Sequence, residues 1–209
     1  MKFDPTLYFI TDSTGVTEEE LCRVVDQACK GGASLVQLRE KTRSTKEYLN
    51  LALAVKAVTD AHNVPLIIDD RVDIALASGA AGVHVGLEDL PVAEARRLMG
   101  PDKIVGATAK TMERALQAQA DGADYLGVGA IYPTTTKVVT VITPVSTLTE
   151  ICGAVTIPVC AIGGLNPTNC DVLEGSGISG ICVVSAIMKS EDPCGMARQL
   201  RAKAEELKK

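Results

Sequence analysis

Six short stretches of this 209-residue chain carry side chains able to hold and transform an anionic ligand. In Gln37-Leu38-Arg39-Glu40-Lys41, strand-like alternation puts Gln37, Arg39 and Lys41 on one face and Leu38 and Glu40 on the other. Two cations converging there require an anionic partner, because unpaired buried charge is expensive. The alternative is a solvated loop with surface ion pairs. Asp69-Asp70-Arg71 and Glu88-Asp89-Leu90-Pro91 supply carboxylates. Asp70 and Asp89 beside a cationic pocket suit Mg²⁺, which takes one or two protein carboxylates plus substrate phosphates. Either aspartate could instead cap a helix, before Val72 and before Pro91. Tyr132-Pro133-Thr134-Thr135-Thr136-Lys137 offers hydroxyls, backbone N–H groups and a lysine as a phosphate cradle, or is a plain threonine-rich turn. Gly163-Gly164 would let backbone approach a ligand closely, or would form a tight turn. With Val184-Ser185 they complete a set that points to two anion sites, one diphosphate-like with a metal and one monophosphate-like.

For these stretches to meet, something must gather them, and the rest of the sequence says what. Short apolar, β-branched runs alternate with helical patterns along the chain. They predict strands at about 7–11, 34–39, 65–69, 82–85, 103–107, 125–130, 158–162 and 180–184. Little polar alternation within them is expected of parallel strands covered on both faces. Capping boxes at Thr17-Glu18-Glu19-Glu20 and at Ser44 with Glu47 open the first two helices, and Asn166-Pro167 reads as a helix start. Gly31, Gly79, Gly100, Gly122, Gly153 and Gly175 stand where helix ends need a left-handed residue. Eight such units, with no linker or low-complexity tract, predict one α/β domain over 1–209, a (β/α)8 TIM barrel. A doubly wound open sheet would need a G-x-G-x-x-G turn after the first strand, and Ile10-Thr11-Asp12-Ser13-Thr14-Gly15 lacks it. In a barrel, all six stretches fall at the C-terminal ends of strands, where active sites lie.

Composition narrows the function. The net charge of −5 argues against nonspecific nucleic-acid binding, and 3% aromatics with no Trp leave little for base stacking. The seven Cys include no C-x-x-C pair, so a structural zinc site is not expected, and Cys160 and Cys182 read as core residues. His84 and His62 read as a core and a surface histidine. No apolar leader or membrane-spanning stretch is present in the sequence, and reduced thiols fit the cytoplasm. The expected partners are small phosphorylated molecules; a homo-oligomer is left open.

Taken in order, these residues resemble the thiamine-phosphate synthase family from end to end. The matching stretches are Gln37 to Lys41, Asp70-Arg71-Val72-Asp73-Ile74-Ala75, Gly82-Val83-His84-Val85-Gly86, Glu88-Asp89-Leu90-Pro91, Pro133 to Lys137, Ala161-Ile162-Gly163-Gly164 and Val184-Ser185-Ala186-Ile187. The resemblance implies a Mg²⁺-dependent transferase. It would join hydroxymethylpyrimidine diphosphate to a thiazole phosphate, releasing pyrophosphate. It would assign Gln37, Leu38, Arg39, Glu40, Lys41, Asp69, Thr108 and Lys137 to the pyrimidine diphosphate, with Arg39, Lys41 and Lys137 stabilising the leaving group. Asp70 and Asp89 would hold Mg²⁺, and Thr134, Thr135, Thr136, Gly164, Val184 and Ser185 the thiazole phosphate. The chain departs from the family at Asp69 (usually Asn), Leu87 (usually Gln) and Thr108 (usually Ser), and Val138-Val139-Thr140 lacks a common acidic residue. A thiazole tautomerase on the same barrel and a non-catalytic phosphate-ester-binding barrel are the rival readings.

Overall fold

Each apolar run pairs in parallel with the next, and the last returns to the first, closing a barrel. The computed structural model describes residues 3–134 and 141–208. Its strands are β1 (Leu7–Ile10), β2 (Leu35–Leu38), β3 (Leu66–Asp69), β4 (Gly82–Val85), β5 (Ile104–Ala109), β6 (Tyr125–Gly129), β7 (Val159–Ile162) and β8 (Gly180–Val183). Outside them run α1 (Glu18–Lys30), α2 (Thr45–Ala61), α3 (Val72–Ser78), α4 (Val92–Met99), α5 (Met112–Ala120), α6 (Val145–Ala154), the short α7 (Ser185–Met188) and α8 (Pro193–Leu207). The (β/α)8 expectation is met. Among the described residues, no helix is long and apolar enough to cross a membrane.

Strand alternation divides the interior in two. Tyr8, Leu35, Ile67, Ile104, Tyr125 and Cys182 belong to a cluster built from strand residues alone, which fills the lumen. The intervening residues, such as Phe9, Val36, Leu38 and Ile68, pack outward against helix faces that include Leu21, Val24, Val25 and Ala28 of α1. Burying each such side chain contributes about 1.5–3 kcal/mol, so the helical ring is held chiefly by this outer layer. Cys160 and Cys182 are fully enclosed, as expected of core residues.

The helix starts follow the sequence where side chains cap. Thr17 accepts from the Glu20 N–H, and Ser44 with Glu47 forms the full reciprocal box. Three local expectations fail. Asn166-Pro167 opens no α-helix: the Asn166 carboxamide accepts from Thr168 N and Oγ1, and only a 3₁₀ turn, Cys170–Leu173, follows. Such side-chain bonds to nearby groups compete with helix formation. Gly153 lies within α6 rather than after it. Gly31 is right-handed, and its value is closeness: a Cβ there would sit 2.3 Å from the Cys194 carbonyl oxygen of α8.

Candidate functional site

At the ends of β2, β3 and β4, two cations and three carboxylates crowd together. Asp69 Oδ2 lies 2.9 Å from Lys41 Nζ and 3.9 Å from Arg39 Nε. Lys41 also donates to Asp70. Asp70 adopts a left-handed backbone, φ 59°, a region Asp tolerates better than most residues. That kink cancels strand alternation, so neighbouring carboxylates reach the same ammonium. Asp89, between β4 and α4, accepts from Gly86 N at 2.8 Å and faces Asp70. Burial pushes the Asp89 carboxyl up, and Asp70 adds to that. Burial also raises Asp69, against the pull of Lys41 and Arg39. Lys41 is raised too, because Asp69 and Asp70 outweigh the opposing effect of its burial.

Neither Asp70 nor Asp89 caps a helix. The N-cap positions are Arg71 and Pro91, without a side-chain capping bond. Among the described residues, no three His, Cys, Asp or Glu side chains converge as a metal cage. Two crowded carboxylates are nevertheless the donor set of a hard cation that keeps its waters and completes its shell from a ligand. Asp70 and Asp89 fit such an ion.

Two residues from the same stretch have side chains that build the scaffold. The Leu38 side chain is fully buried in the outer core, and the Tyr48 hydroxyl donates to both the Leu38 and Asp69 carbonyls, at 2.9 and 3.3 Å. Tyr48, on α2, thereby ties the ends of β2 and β3 together. Glu40 accepts from Ser13 Oγ at 2.5 Å, Thr42 N at 2.7 Å and Arg43 N at 3.2 Å. Burial would raise its carboxyl, but these bonds outweigh it and bring it down to about 2. The side chains of Leu38 and Glu40 therefore shape the loop that presents Arg39 and Lys41.

On the other side of the mouth, Thr134 follows β6, Gly163 and Gly164 follow β7, and Val184 and Ser185 follow β8. Val184 packs on the lumen cluster. Thr135, Thr136 and Lys137 lie outside the described residues. Gly164 has φ 66°, and a Cβ there would lie 2.7 Å from Tyr132 Cβ and 2.9 Å from the Pro133 carbonyl oxygen. The chain that approaches the glycines is thus the loop after β6. Tyr132 N donates to the Gly163 carbonyl at 3.0 Å, which seats that loop.

The floor of the site holds residues whose connection the sequence did not disclose. Gln37 Nε2 donates to Tyr8 Oη at 2.7 Å, and Tyr8 Oη lies 2.7 Å from Tyr125 Oη. Tyr125 Oη is 3.0 Å from His84 Nδ1, and His84 Nε2 is 3.0 Å from Thr108 Oγ1. Glycines make the room: a Cβ at Gly106 would fall 2.1 Å from Tyr125 Cζ, and one at Gly127 3.3 Å from His84 Cε1. Burial pulls His84 down to about 4, so it is neutral at pH 7. His84 is the buried histidine expected, while the partly exposed His62 bonds Asp26 at 2.8 Å. The available signal was parity: Tyr8, Gln37, His84, Thr108 and Tyr125 all fall on the lumen side of their strands.

Comparison with known proteins agrees with this architecture. The family model described as Thiamine monophosphate synthase matches residues 7–187. The chain is 53% identical to Thiamine-phosphate synthase 2 of Streptococcus pneumoniae serotype 4 over 186 residues, 89% of each chain. It is 51% identical to Thiamine-phosphate synthase of Clostridium tetani over 90% of each. Its fold matches that of the thiamine phosphate pyrophosphorylase from Pyrococcus furiosus with a TM-score of 0.87 and 37% identity, over 97% of this chain and 96% of that one. By sequence match and fold alike, the chain belongs to the thiamine monophosphate synthase family.

Proposed function

We propose that this chain condenses 4-amino-2-methyl-5-hydroxymethylpyrimidine diphosphate with a thiazole phosphate, giving thiamine phosphate and pyrophosphate. The observation that carries this reading is the cluster of Arg39, Lys41, Asp70 and Asp89 at the ends of β2, β3 and β4. Relatives about half identical to this chain bear the synthase name, which favours this reading over the tautomerase and the non-catalytic barrel.

In the reaction, the C–O bond between the pyrimidine methylene and the diphosphate breaks, and the diphosphate departs with the electron pair. The thiazole nitrogen then donates its lone pair to the cationic methylene carbon. Arg39 and Lys41, with Lys137, neutralise charge growing on the departing oxygen. With Lys41 paired to phosphate oxygens, Asp70 and Asp89 would hold Mg²⁺, and the bound ion would supply Lewis-acid stabilisation of the leaving group. Gln37, Asp69 and Thr108 line the pyrimidine diphosphate side, with Leu38 and Glu40 contributing through loop shape. Thr134, Thr135, Thr136, Gly164, Val184 and Ser185 take the thiazole phosphate. The closed lumen below keeps water from the cation. An enzyme of this kind acts in the cytoplasm on small phosphorylated molecules, not on nucleic acid or lipid.

The test is pyrophosphate release on mixing both substrates with Mg²⁺. Release should require both substrates and cease in excess chelator. Isomerisation of a thiazole phosphate without pyrophosphate release would favour the tautomerase instead.

A further inference from the structure

We propose that Gln37, Tyr8, Tyr125 and His84 form a directional hydrogen-bond relay that sets the Thr108 hydroxyl as a donor toward the barrel mouth. The direction follows from counting protons. Gln37 Nε2 can only donate, and it donates to Tyr8 Oη. Burial pushes both phenols up, so Tyr8 and Tyr125 each keep a proton to place. Tyr8 and Tyr125 are 1% and 0% exposed, and no buried polar side-chain atom among the described residues lacks a partner. Gln37 Nε2 has no lone pair to receive the Tyr8 proton, so Tyr8 donates to Tyr125, the other group its hydroxyl meets. Tyr125 must then send its own proton to His84 Nδ1. A neutral imidazole accepting at Nδ1 carries its proton on Nε2, and Nε2 points at Thr108 Oγ1. Thr108 receives that bond and keeps its own proton free to turn outward.

The polarity matters because diphosphate oxygens only accept. A relay running the other way would have Thr108 donate down to Nε2 and face the ligand with lone pairs. Tyr8, Tyr125 and His84 are thus positioning residues, acting on the ligand through Thr108. This consequence rests on the proposed function; the direction of the relay does not.

The experiment uses the full chain without ligand. His62→Gln leaves His84 as the sole histidine, and ¹⁵N NMR at pH 7 reads its tautomer. The expected result is bare Nδ1 and protonated Nε2; an Nδ1–H tautomer or an imidazolium would overturn the relay. Gln37→Glu reverses the first link, since a carboxylate only accepts. At a pH where ¹³C NMR shows the introduced carboxyl ionised, His84 should switch to the Nδ1–H form. Simple packing would not move it, and an unchanged tautomer would overturn the assigned direction. Calorimetry with the pyrimidine diphosphate then tests the consequence. Thr108→Val should weaken binding about tenfold and Thr108→Ser no more than about twofold, as expected for one charge-assisted hydrogen bond. Equal losses would overturn the donor role of Thr108. A chain with the expected tautomer but no pyrophosphate release would instead refute the functional reading alone.

Discussion

Around the barrel mouth, the β2–β4 side presents interlocked charged side chains, while the β6–β8 side presents backbone, small hydroxyls and glycine. On the first side, Arg39, Lys41, Asp69, Asp70 and Asp89 constrain one another, and Glu40 and Tyr48 hold the loops beneath them. On the second, Gly163 lies against Ala130 and Ile131 and Gly164 against Tyr132 and Pro133, with Thr134 following β6 and Val184 and Ser185 following β8. A leaving diphosphate needs charge that answers charge developing in the transition state. A bound monophosphate that does not react needs only positioning. On the proposed function, the two sides differ as those two tasks differ.

The comparison can be broken most decisively at Asp70 and Asp89. On the proposed function, Asp70→Ala or Asp89→Ala would remove a metal ligand worth several kcal/mol of charge stabilisation. Turnover should fall by about 100-fold or more in a pyrophosphate-release assay, while calorimetry finds thiazole phosphate binding retained. Loss of both together would mean the two sides are not separable.

Gly164→Ala probes the opposite side. The left-handed backbone and the crowding by Tyr132 should cost about 1–3 kcal/mol in denaturant unfolding. Gly15→Ala is the control, because its φ is also positive, at 75°, with nothing within 4 Å of the added Cβ. The excess at Gly164 measures the seating of the β6 loop. It should be accompanied by weaker thiazole phosphate binding and unchanged pyrimidine diphosphate binding.

The smallest effect sharpens the support beneath Arg39 and Lys41. The Glu40 carboxyl is held at about 2 in the folded chain against an ordinary 4.5. Its stabilising contribution is complete above about pH 4.5 and is lost as pH falls through about 2. Glu40→Gln should therefore cost about 1–2 kcal/mol at pH 7 after solvent screening. Stability curves of the two proteins should converge across that acid window. A constant gap would mean the glutamine loses packing rather than charge.

The strands were legible because apolar runs bounded by glycine and proline leave few other options. Their ends were legible because Arg39, Lys41, Asp70 and Asp89 have little reason to cluster except around a ligand. The turn after β7 was not legible: Asn166-Pro167 looks like a helix start, and only the contacts of its side chain with Thr168 show otherwise. Glu40 sat in a motif with Arg39 and Lys41, and one dimension did not show that its carboxylate also builds the loop through Ser13, Thr42 and Arg43. Tyr8 and Tyr125 were hidden for another reason. Each lies in an apolar run that reads as core, and both are core, but only closure of the barrel brings their hydroxyls to 2.7 Å.

That closure also sets a timetable. β1 pairs with β2 on one edge and with β8 on the other, so its second edge waits for Gly180–Val183. At roughly 5–20 residues per second, a ribosome takes on the order of ten to thirty seconds to supply it. Through that interval Leu7-Tyr8-Phe9-Ile10 offers unpaired backbone and apolar side chains, an invitation to wrong partners. The strand is only four residues long, which limits how much such a partner could gain. The first strand made is the last to be satisfied, and a nascent chain stalled before β8 would be the form most in need of a chaperone.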